Sequence, residues 1–371
     1  YPNLFSPVKI GNVVLRNRLI ATCSSPHFCQ GSESWPTEGF ITHYANKAKG
    51  GAAVVTCKGA SPVLNGSDPH ASMLDIHNGA NQHYFAQMAD AVRYYGAMPS
   101  ILIMPASGIM VHGIDASDDI WSEFVEGDGS VRMKGKAATH DYLERCSDEY
   151  AAEAKIAKNL GFGMCFMHMS YRLMLPGRFL SPYTNRRTDE YGGSFENRCR
   201  FAWNCIKEIR ANIPDTMPLF MRCDAVDELM PEVMTEEEIV KFINRSAELG
   251  VDVVDLSRGN SMSFATVYEV PPYLLEPGFN MENIARIKSQ ISIPVMGVGR
   301  VNTPELADKL IADGKIDLVG VGRGQITDPQ WVKKAQEGHP ELIRKCIGCD
   351  QGCYDAVIDP RFKTITCTRN P

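Results

Sequence analysis

The sequence predicts a (β/α)8 barrel, and two observations carry the prediction. Short apolar or β-branched runs alternate with helical patterns eight times along 371 residues. No glycine-rich phosphate loop follows the first run, as it would in a doubly wound open sheet. The runs are 19–23, 52–58, 100–104, 164–168, 218–223, 251–257, 293–298 and 316–321. Their near-continuous apolar character suits strands buried on both faces of a parallel sheet. The helical patterns carry start and stop signals. Thr235 to Glu238 is a capping box, Ile239, Phe242, Ile243 and Ala247 form one face, and Gly250 ends the helix. Thr303-Pro304 and Asp328-Pro329 each read as an N-cap followed by proline at the first helical position. Two stretches exceed the plain repeat, 107–140 after the third strand and 171–193 after the fourth. Both fall at C-terminal strand ends, where barrel enzymes place their sites.

Composition narrows the function classes. The net charge of −6 gives no reason to expect nucleic acid or an anionic membrane as partner. No apolar run reaches transmembrane length, and no basic-then-apolar leader opens the chain. The expectation is a soluble, cytoplasmic protein with a small-molecule partner, and self-association into a homo-oligomer is compatible with it. Twelve cysteines are present, most of them scattered singly, which fits reduced thiols in a reducing cytosol better than a disulfide framework. The first residue is Tyr1, so a trimmed or processed form of a longer chain is expected.

Four motifs carry chemistry. Cys346, Cys349, Cys353 and Cys367 stand in a C-x2-C-x3-C-x13-C spacing that suggests an iron–sulfur cluster or a zinc site. The spacing matches the paired C-x2-C modules of zinc ribbons poorly. Gly299-Arg300 and Gly322-Arg323 end the seventh and eighth strands. There glycine lets backbone N–H groups approach a phosphate and arginine neutralises it; the alternative is a pair of turns with surface ion pairs. Arg222 ends the fifth strand inside the barrel mouth. A buried cation needs an anionic partner, either Asp224 or Asp252 or the negative charge of a cofactor ring. His168 ends the fourth strand with Tyr171 three residues on. Both types hold carbonyl oxygens or deliver protons, although each also occurs as a satisfied core residue.

The opening segments, Leu4 to Gly11 and Leu15 to Arg18, resemble those of the Old Yellow Enzyme family. So does the long run from Phe179 through Ser181-Pro182-Tyr183-Thr184-Asn185-Arg186-Arg187 to Arg198. The cysteine tail resembles the 2,4-dienoyl-CoA reductase branch, and the second half is similar to bile-acid-inducible flavoproteins of gut anaerobes. The resemblance implies an FMN barrel over residues 1–340 and a [4Fe–4S] segment over 341–371, with FAD- and NAD(P)H-binding domains following in the full-length protein. It implies that Cys23, Ser24, Ser25 and Cys57 line the FMN and that Arg222 faces its pyrimidine end. Gly299, Arg300, Gly322 and Arg323 would hold the phosphate, and Cys346, Cys349, Cys353 and Cys367 the cluster. The implied activity is an NAD(P)H-dependent ene-reductase acting on an α,β-unsaturated carbonyl compound, with a 3-oxo-Δ4 steroid or bile-acid-like enone favoured and reverse desaturation open.

The chain also departs from the family. The third strand lacks the usual Gln and His. On the fourth, Tyr171 takes the second polar position and Leu173 stands where the proton-donating Tyr belongs. No His occurs in the loop 257–264 after the sixth strand. His168 and Tyr171 are therefore expected to polarise the carbonyl, with Tyr171 or water as acid. Arg172 could clamp the carboxylate of a 2-enoate or act as a structural ion pair, which keeps an enoate or enoyl-CoA reductase as the alternative. From another class, the chain could be a flavin and iron–sulfur relay without ene-reductase activity.

Overall fold

A computed structural model describes residues 1–26, 29–30, 35–59, 74–105, 113–118, 121–126, 129–229, 231–260, 262, 265–358 and 364–370. Eight parallel strands form a closed barrel: β1 (Leu19–Ala21), β2 (Val54–Lys58), β3 (Met98–Ile103), β4 (Met164–His168), β5 (Leu219–Asp224), β6 (Val253–Ser257), β7 (Val295–Gly297) and β8 (Leu318–Val321). Each pairs with the next, and β8 returns to β1 with Val319 opposite Leu19. Every strand overlaps the run predicted for it, and the (β/α)8 prediction holds.

The barrel helices are α1 (Glu38–Lys49), α2 (Gly79–Tyr94), α3 (His140–Asn159), α4 (Phe195–Asn212), α5 (Glu236–Glu248), α6 (Met281–Lys288), α7 (Pro304–Ala312) and α8 (Trp331–Gln336). Thr37, Asn78, Thr139, Ser194, Thr235 and Thr303 each accept a backbone N–H at a helix start. Such a cap is worth about 1 kcal/mol. The capping box of Thr235 and Glu238 forms as expected, with Ser246 rather than Ala247 completing the buried face of Ile239, Phe242 and Ile243. The Asp328-Pro329 expectation needs correction, because α8 begins at Trp331. The buried Asp328 carboxylate instead accepts the N–H groups of Gln330 (3.1 Å) and Arg344 (3.0 Å) and pairs with Lys334 at 2.6 Å. It ties the helix to the segment leading into the cysteines.

Strand alternation sorts side chains between two cores. Ile20, Val54, Leu102, Phe166, Phe220, Val253, Met296 and Leu318 fill the barrel interior. Their sequence neighbours, such as Val55, Ile101, Cys165, Met221 and Val254, pack in the larger core beneath the helices. Cys57 belongs to this outer set, sharing a face with Val55. A hairpin absent from the sequence prediction, Val8–Ile10 with Val13–Leu15, places Ile10 and Leu15 in the interior core. It closes the N-terminal end of the barrel, since Asn12 reaches the Asp215 carbonyl just before β5. Its tight turn needs Gly11, where φ is +52° and a Cβ would lie 2.6 Å from Asp252 Oδ1.

The excursion after β3 partly lies outside the described residues. Its described parts include a hairpin of Trp121–Glu126 with Gly129–Lys134, and Ile114–Asp115 paired with Lys136–Ala137. Asp115 anchors it. Its fully buried carboxylate meets both the Nε (2.6 Å) and the Nη2 of Arg178. Arg178 Nη1 also donates to the Arg172 carbonyl at 3.1 Å. Asn185 donates to the Phe179 and Tyr191 carbonyls (2.8 and 2.7 Å), and Arg198 reaches Glu238 on α5 at 2.8 Å. The long signature run thus works as a clamp that fixes the loop after β4 to its neighbours.

Candidate active site

A cavity of about 350 Å³ opens at the C-terminal ends of the strands. Cys23, Ser24 and Ser25 line it after β1, His168 and Tyr171 after β4, and Arg222 on β5. Gly299 and Arg300 after β7 and Gly322 and Arg323 after β8 complete the far wall. The fold therefore gathers ten of the predicted cofactor and catalytic residues around one space. Two lie elsewhere. Cys57 faces the outer core, with its thiol lifted by burial well above the ordinary range, so it cannot line a flavin from its strand position.

Arg172 is also displaced, and the reason is backbone geometry. Tyr171 and Arg172 are consecutive left-handed residues, with φ of 66° and 55°. Such a conformation costs of order 1–3 kcal/mol per residue and persists only when its surroundings impose it. Here the Tyr171 N–H donates to both Asp224 oxygens (3.0 and 3.3 Å), and Tyr171 bridges to Asn260 after β6. The turn sends the phenol into the cavity and the next side chain into the protein. Arg172 Nη2 lies 3.3 Å from Asp227, and Nη1 donates to the Gly177 carbonyl at 2.8 Å. This corrects the carboxylate-clamp expectation in favour of the structural pair. Burial pushes the Asp227 carboxyl up, but Arg172 and backbone donors bring it below its usual range.

His168 and Arg222 sit opposite each other in the β4–β5 register. Arg222 Nη2 donates to the Tyr171 hydroxyl, and its guanidinium carbon lies 4.9 Å from the ring centre. Its carboxylate partner is Asp255 of β6, at 3.3 Å, rather than Asp224 or Asp252; Asp252 is taken by Arg210 and the Leu219 N–H. The pair faces without an aligned hydrogen bond, and burial pushes Asp255 up to about 6 against the pull of Arg222. Burial, seconded by Arg222, holds His168 neutral far below its usual range. Burial also raises the Tyr171 hydroxyl above an ordinary phenol, despite Arg222. In place of the missing third-strand polar pair, Leu102 lines the cavity. Leu173, at the usual Tyr position, packs against the interior core.

The remaining wall couples two predicted sites. Arg323 pairs with Asp350, between the second and third clustered cysteines, and donates to the Pro271 carbonyl at 2.7 Å. Arg300 donates to the Tyr273 carbonyl at 3.0 Å, while the Tyr273 N–H donates to Gly348 at 2.8 Å. Cys346 and Cys353 border the main cavity, and all four of Cys346, Cys349, Cys353 and Cys367 line a small space beside it. All four are free, half-buried thiols. No three described metal-ligating atoms from them lie within 4.8 Å of one another.

The cavity also fits the FMN that the resemblance implies. His168 Nδ1 and Ser25 Oγ are buried there without a hydrogen-bond partner, as groups awaiting a polar ligand would be. Gly320 and Gly322 keep the wall open, since a Cβ would fall 2.5 Å from Val298 and 2.8 Å from Thr22. Sequence reasoning missed Glu269, which lines the cavity, and Lys47 and Lys58, which stand behind its Ser24 and Cys23. Lys47, buried on α1, donates to Ser24 Oγ at 2.6 Å, and burial lowers its ammonium to about 8. Lys58 shares the inward face of β2 with Val54, so strand parity could have found it. Glu269 lies in a short turn, Thr266–Glu269, with no periodic signal to mark it.

Comparison with known proteins gives the family and the fold. The profile of the NADH:flavin oxidoreductase / NADH oxidase family matches residues 3–341. An NADH oxidase of Thermoanaerobacter brockii is 32% identical over the whole chain, which covers 56% of that protein. A bilirubin reductase of Mediterraneibacter gnavus is 29% identical over 99% of the chain and 56% of its own length. Among solved structures, a 2-naphthoyl-CoA reductase in complex with 2-naphthoyl-CoA superposes with a TM-score of 0.87 at 27% identity, covering 100% of this chain and 57% of that one. The chain thus spans a little over half the length of these relatives. Among the described residues no helix is long and apolar enough to cross a membrane. With its barrel, its cavity and a profile match over nearly the whole chain, the protein belongs to the NADH:flavin oxidoreductase / NADH oxidase family.

Proposed function

We propose that the chain is the catalytic portion of an FMN-dependent ene-reductase that adds a hydride and a proton across the C=C bond of an α,β-unsaturated carbonyl compound. The observation that carries this reading is the Tyr171 hydroxyl. It accepts from Arg222 in the wall of the cavity that His168 also lines, which fixes the phenol beside the imidazole where a carbonyl oxygen can be held. Bound FMN, when reduced, would supply the hydride. Ser24, Ser25, Arg222, Gly299, Arg300, Gly322 and Arg323 would hold it, and Cys346, Cys349, Cys353 and Cys367 would hold a [4Fe–4S] cluster, whose chemistry there would be single-electron supply. His168, neutral and facing the cavity, and Tyr171 donate hydrogen bonds to the substrate carbonyl oxygen, where negative charge develops. Asp224 keeps Tyr171 in place through its backbone N–H.

The cavity chemistry favours a neutral enone, the 3-oxo-Δ4 steroid class, over a free enoate. Arg172, the cation that a carboxylate would need beside the carbonyl site, is buried against Asp227 and the Gly177 carbonyl. A substrate carboxylate would have to break one of these contacts. The kinship with a bilirubin reductase and a 2-naphthoyl-CoA reductase supports the reductive direction.

The test uses FMN-loaded protein photoreduced without oxygen and then mixed with a 3-oxo-Δ4 steroid or with cinnamate. Stoichiometric flavin reoxidation by the steroid is the expected result. Reoxidation by neither probe favours an electron relay, and preference for cinnamate overturns the neutral-enone reading. Iron and acid-labile sulfide assays check the cluster, and zinc in their place removes it.

A further inference from the structure

We propose that Glu269 is a second proton donor of the catalytic cavity, and that it delivers the proton consumed when the carbon–carbon double bond is reduced. The inference rests on the ene-reductase reading above. Glu269 ends the short turn after β6 and lines the cavity together with His168, Tyr171 and Arg222. Among the described residues its carboxyl makes no hydrogen bond and no ion pair, while the carboxylates Asp224, Asp227, Glu228 and Asp255 around the cavity all face arginines. The bridge between Tyr171 and Asn260 draws the loop after β6 against the loop after β4, and Glu269 and Tyr171 line the same cavity near enough for the carboxyl to act on the phenol.

The groups around it determine its protonation. Arg222 and Asp224 come from β5, Tyr171 from the loop after β4 and Tyr354 from the cysteine segment. Burial dominates and pushes the Glu269 carboxyl up to about 8; Arg222 pulls the other way and Asp224 reinforces the rise. At neutral pH the group is a carboxylic acid that holds a transferable proton. The other two candidates are poorer acids. The Tyr171 phenol is raised above its usual range, and the His168 imidazole is already neutral. An acid works best when its affinity for the proton lies near the operating pH.

The step balances as follows. A hydride supplied by bound, reduced FMN would form the new C–H bond at Cβ, and the π pair would shift toward Cα and the carbonyl oxygen. The Glu269 O–H bond breaks as Cα takes its proton, and water reprotonates the carboxylate. His168 and Tyr171 keep their role at the carbonyl oxygen.

Two measurements test this on the FMN- and cluster-loaded protein. Infrared difference spectra between pH 6 and pH 9 should show a protonated-carboxyl stretch in the wild type that titrates near pH 8 and is absent from Glu269→Gln. This readout needs no substrate, so it survives failure of the ene-reductase reading. In the photoreduced protein mixed with a 3-oxo-Δ4 steroid, the wild-type reoxidation rate should fall above about pH 8, by about tenfold per pH unit. Glu269→Gln should lower it by roughly 10²-fold and remove that alkaline limb, and Glu269→Asp should restore part of both. A wild-type spectrum with no titrating carboxyl overturns the proposal even if the variant does not fold. So does a Glu269→Gln enzyme with the wild-type rate and pH profile.

Discussion

The loop after β4 and the cavity it borders are both buried and both rich in polar groups, yet their hydrogen bonding differs. In the loop the polar groups are satisfied. Arg178 has Asp115 and two further acceptors, Thr184 bonds the Arg178 and Ser181 carbonyls, and Asn185 spans two backbone oxygens. In the cavity His168 Nδ1, Ser25 Oγ, Arg222 Nε and both Asp255 oxygens lack hydrogen-bond partners. Leaving such groups unmade costs about 1–3 kcal/mol each. A fold tolerates that where a ligand supplies the missing partners. The most distinctive sequence run is therefore the scaffold, and the reactive groups stand beside it in short, less distinctive stretches.

The largest expected effect breaks the satisfied side. Arg178→Ala strands a fully buried Asp115 carboxylate and should cost about 3–5 kcal/mol in urea unfolding. The double variant Asp115→Leu/Arg178→Met removes both charges and should recover most of that loss. A single variant costing under about 1 kcal/mol would show that the clamp does not hold the loop.

On the cavity side, Tyr171→Phe should reverse the pattern. Stability should change by less than about 1 kcal/mol, because the lost hydroxyl is only one partner of Arg222. Flavin reoxidation by a 3-oxo-Δ4 steroid should slow roughly 10²-fold, the range of one lost transition-state donor. Undiminished turnover would remove Tyr171 from the carbonyl site. Between the two regions lies the Arg323–Asp350 pair, which joins the cavity wall to the cysteine segment. Asp350→Asn should weaken FMN binding about tenfold by freeing Arg323 to move, read by fluorescence quenching at unchanged iron content. Unchanged FMN affinity would mean that the two sites fold independently.

The fold was legible because parallel strands buried on both faces leave unbroken apolar runs, and because Thr235 and Thr303 announce their helices chemically. Site positions at strand ends followed from the same runs, which is why His168 and Arg222 were found. Cys57 falls on the outer face by strand parity, since on β2 the inward side chains are Val54, Thr56 and Lys58. Arg172 was misplaced because two left-handed residues in succession leave no mark in the sequence. Glu269 was missed because loop chemistry depends on what the loop meets in space, here Arg222 and Tyr171, hundreds of atoms away along the chain.

The smallest effect gives the finest test of the contrast. Ser25 Oγ is buried at the cavity with no partner, so in the FMN-free protein it contributes desolvation and no hydrogen bond. Ser25→Ala should therefore leave unfolding of the FMN-free protein within about 0.5 kcal/mol of wild type, or make it slightly more stable. With FMN present the hydroxyl acquires its partner, and the variant should bind the cofactor several-fold more weakly, by about the 0.5–1.5 kcal/mol of one net hydrogen bond. Comparing urea midpoints with and without FMN separates the two terms, since only the second depends on ligand concentration. If Ser25→Ala instead destabilised the FMN-free protein by more than about 1 kcal/mol, the hydroxyl would already be satisfied there. Unpartnered groups would then no longer distinguish the cavity from the clamp beside it.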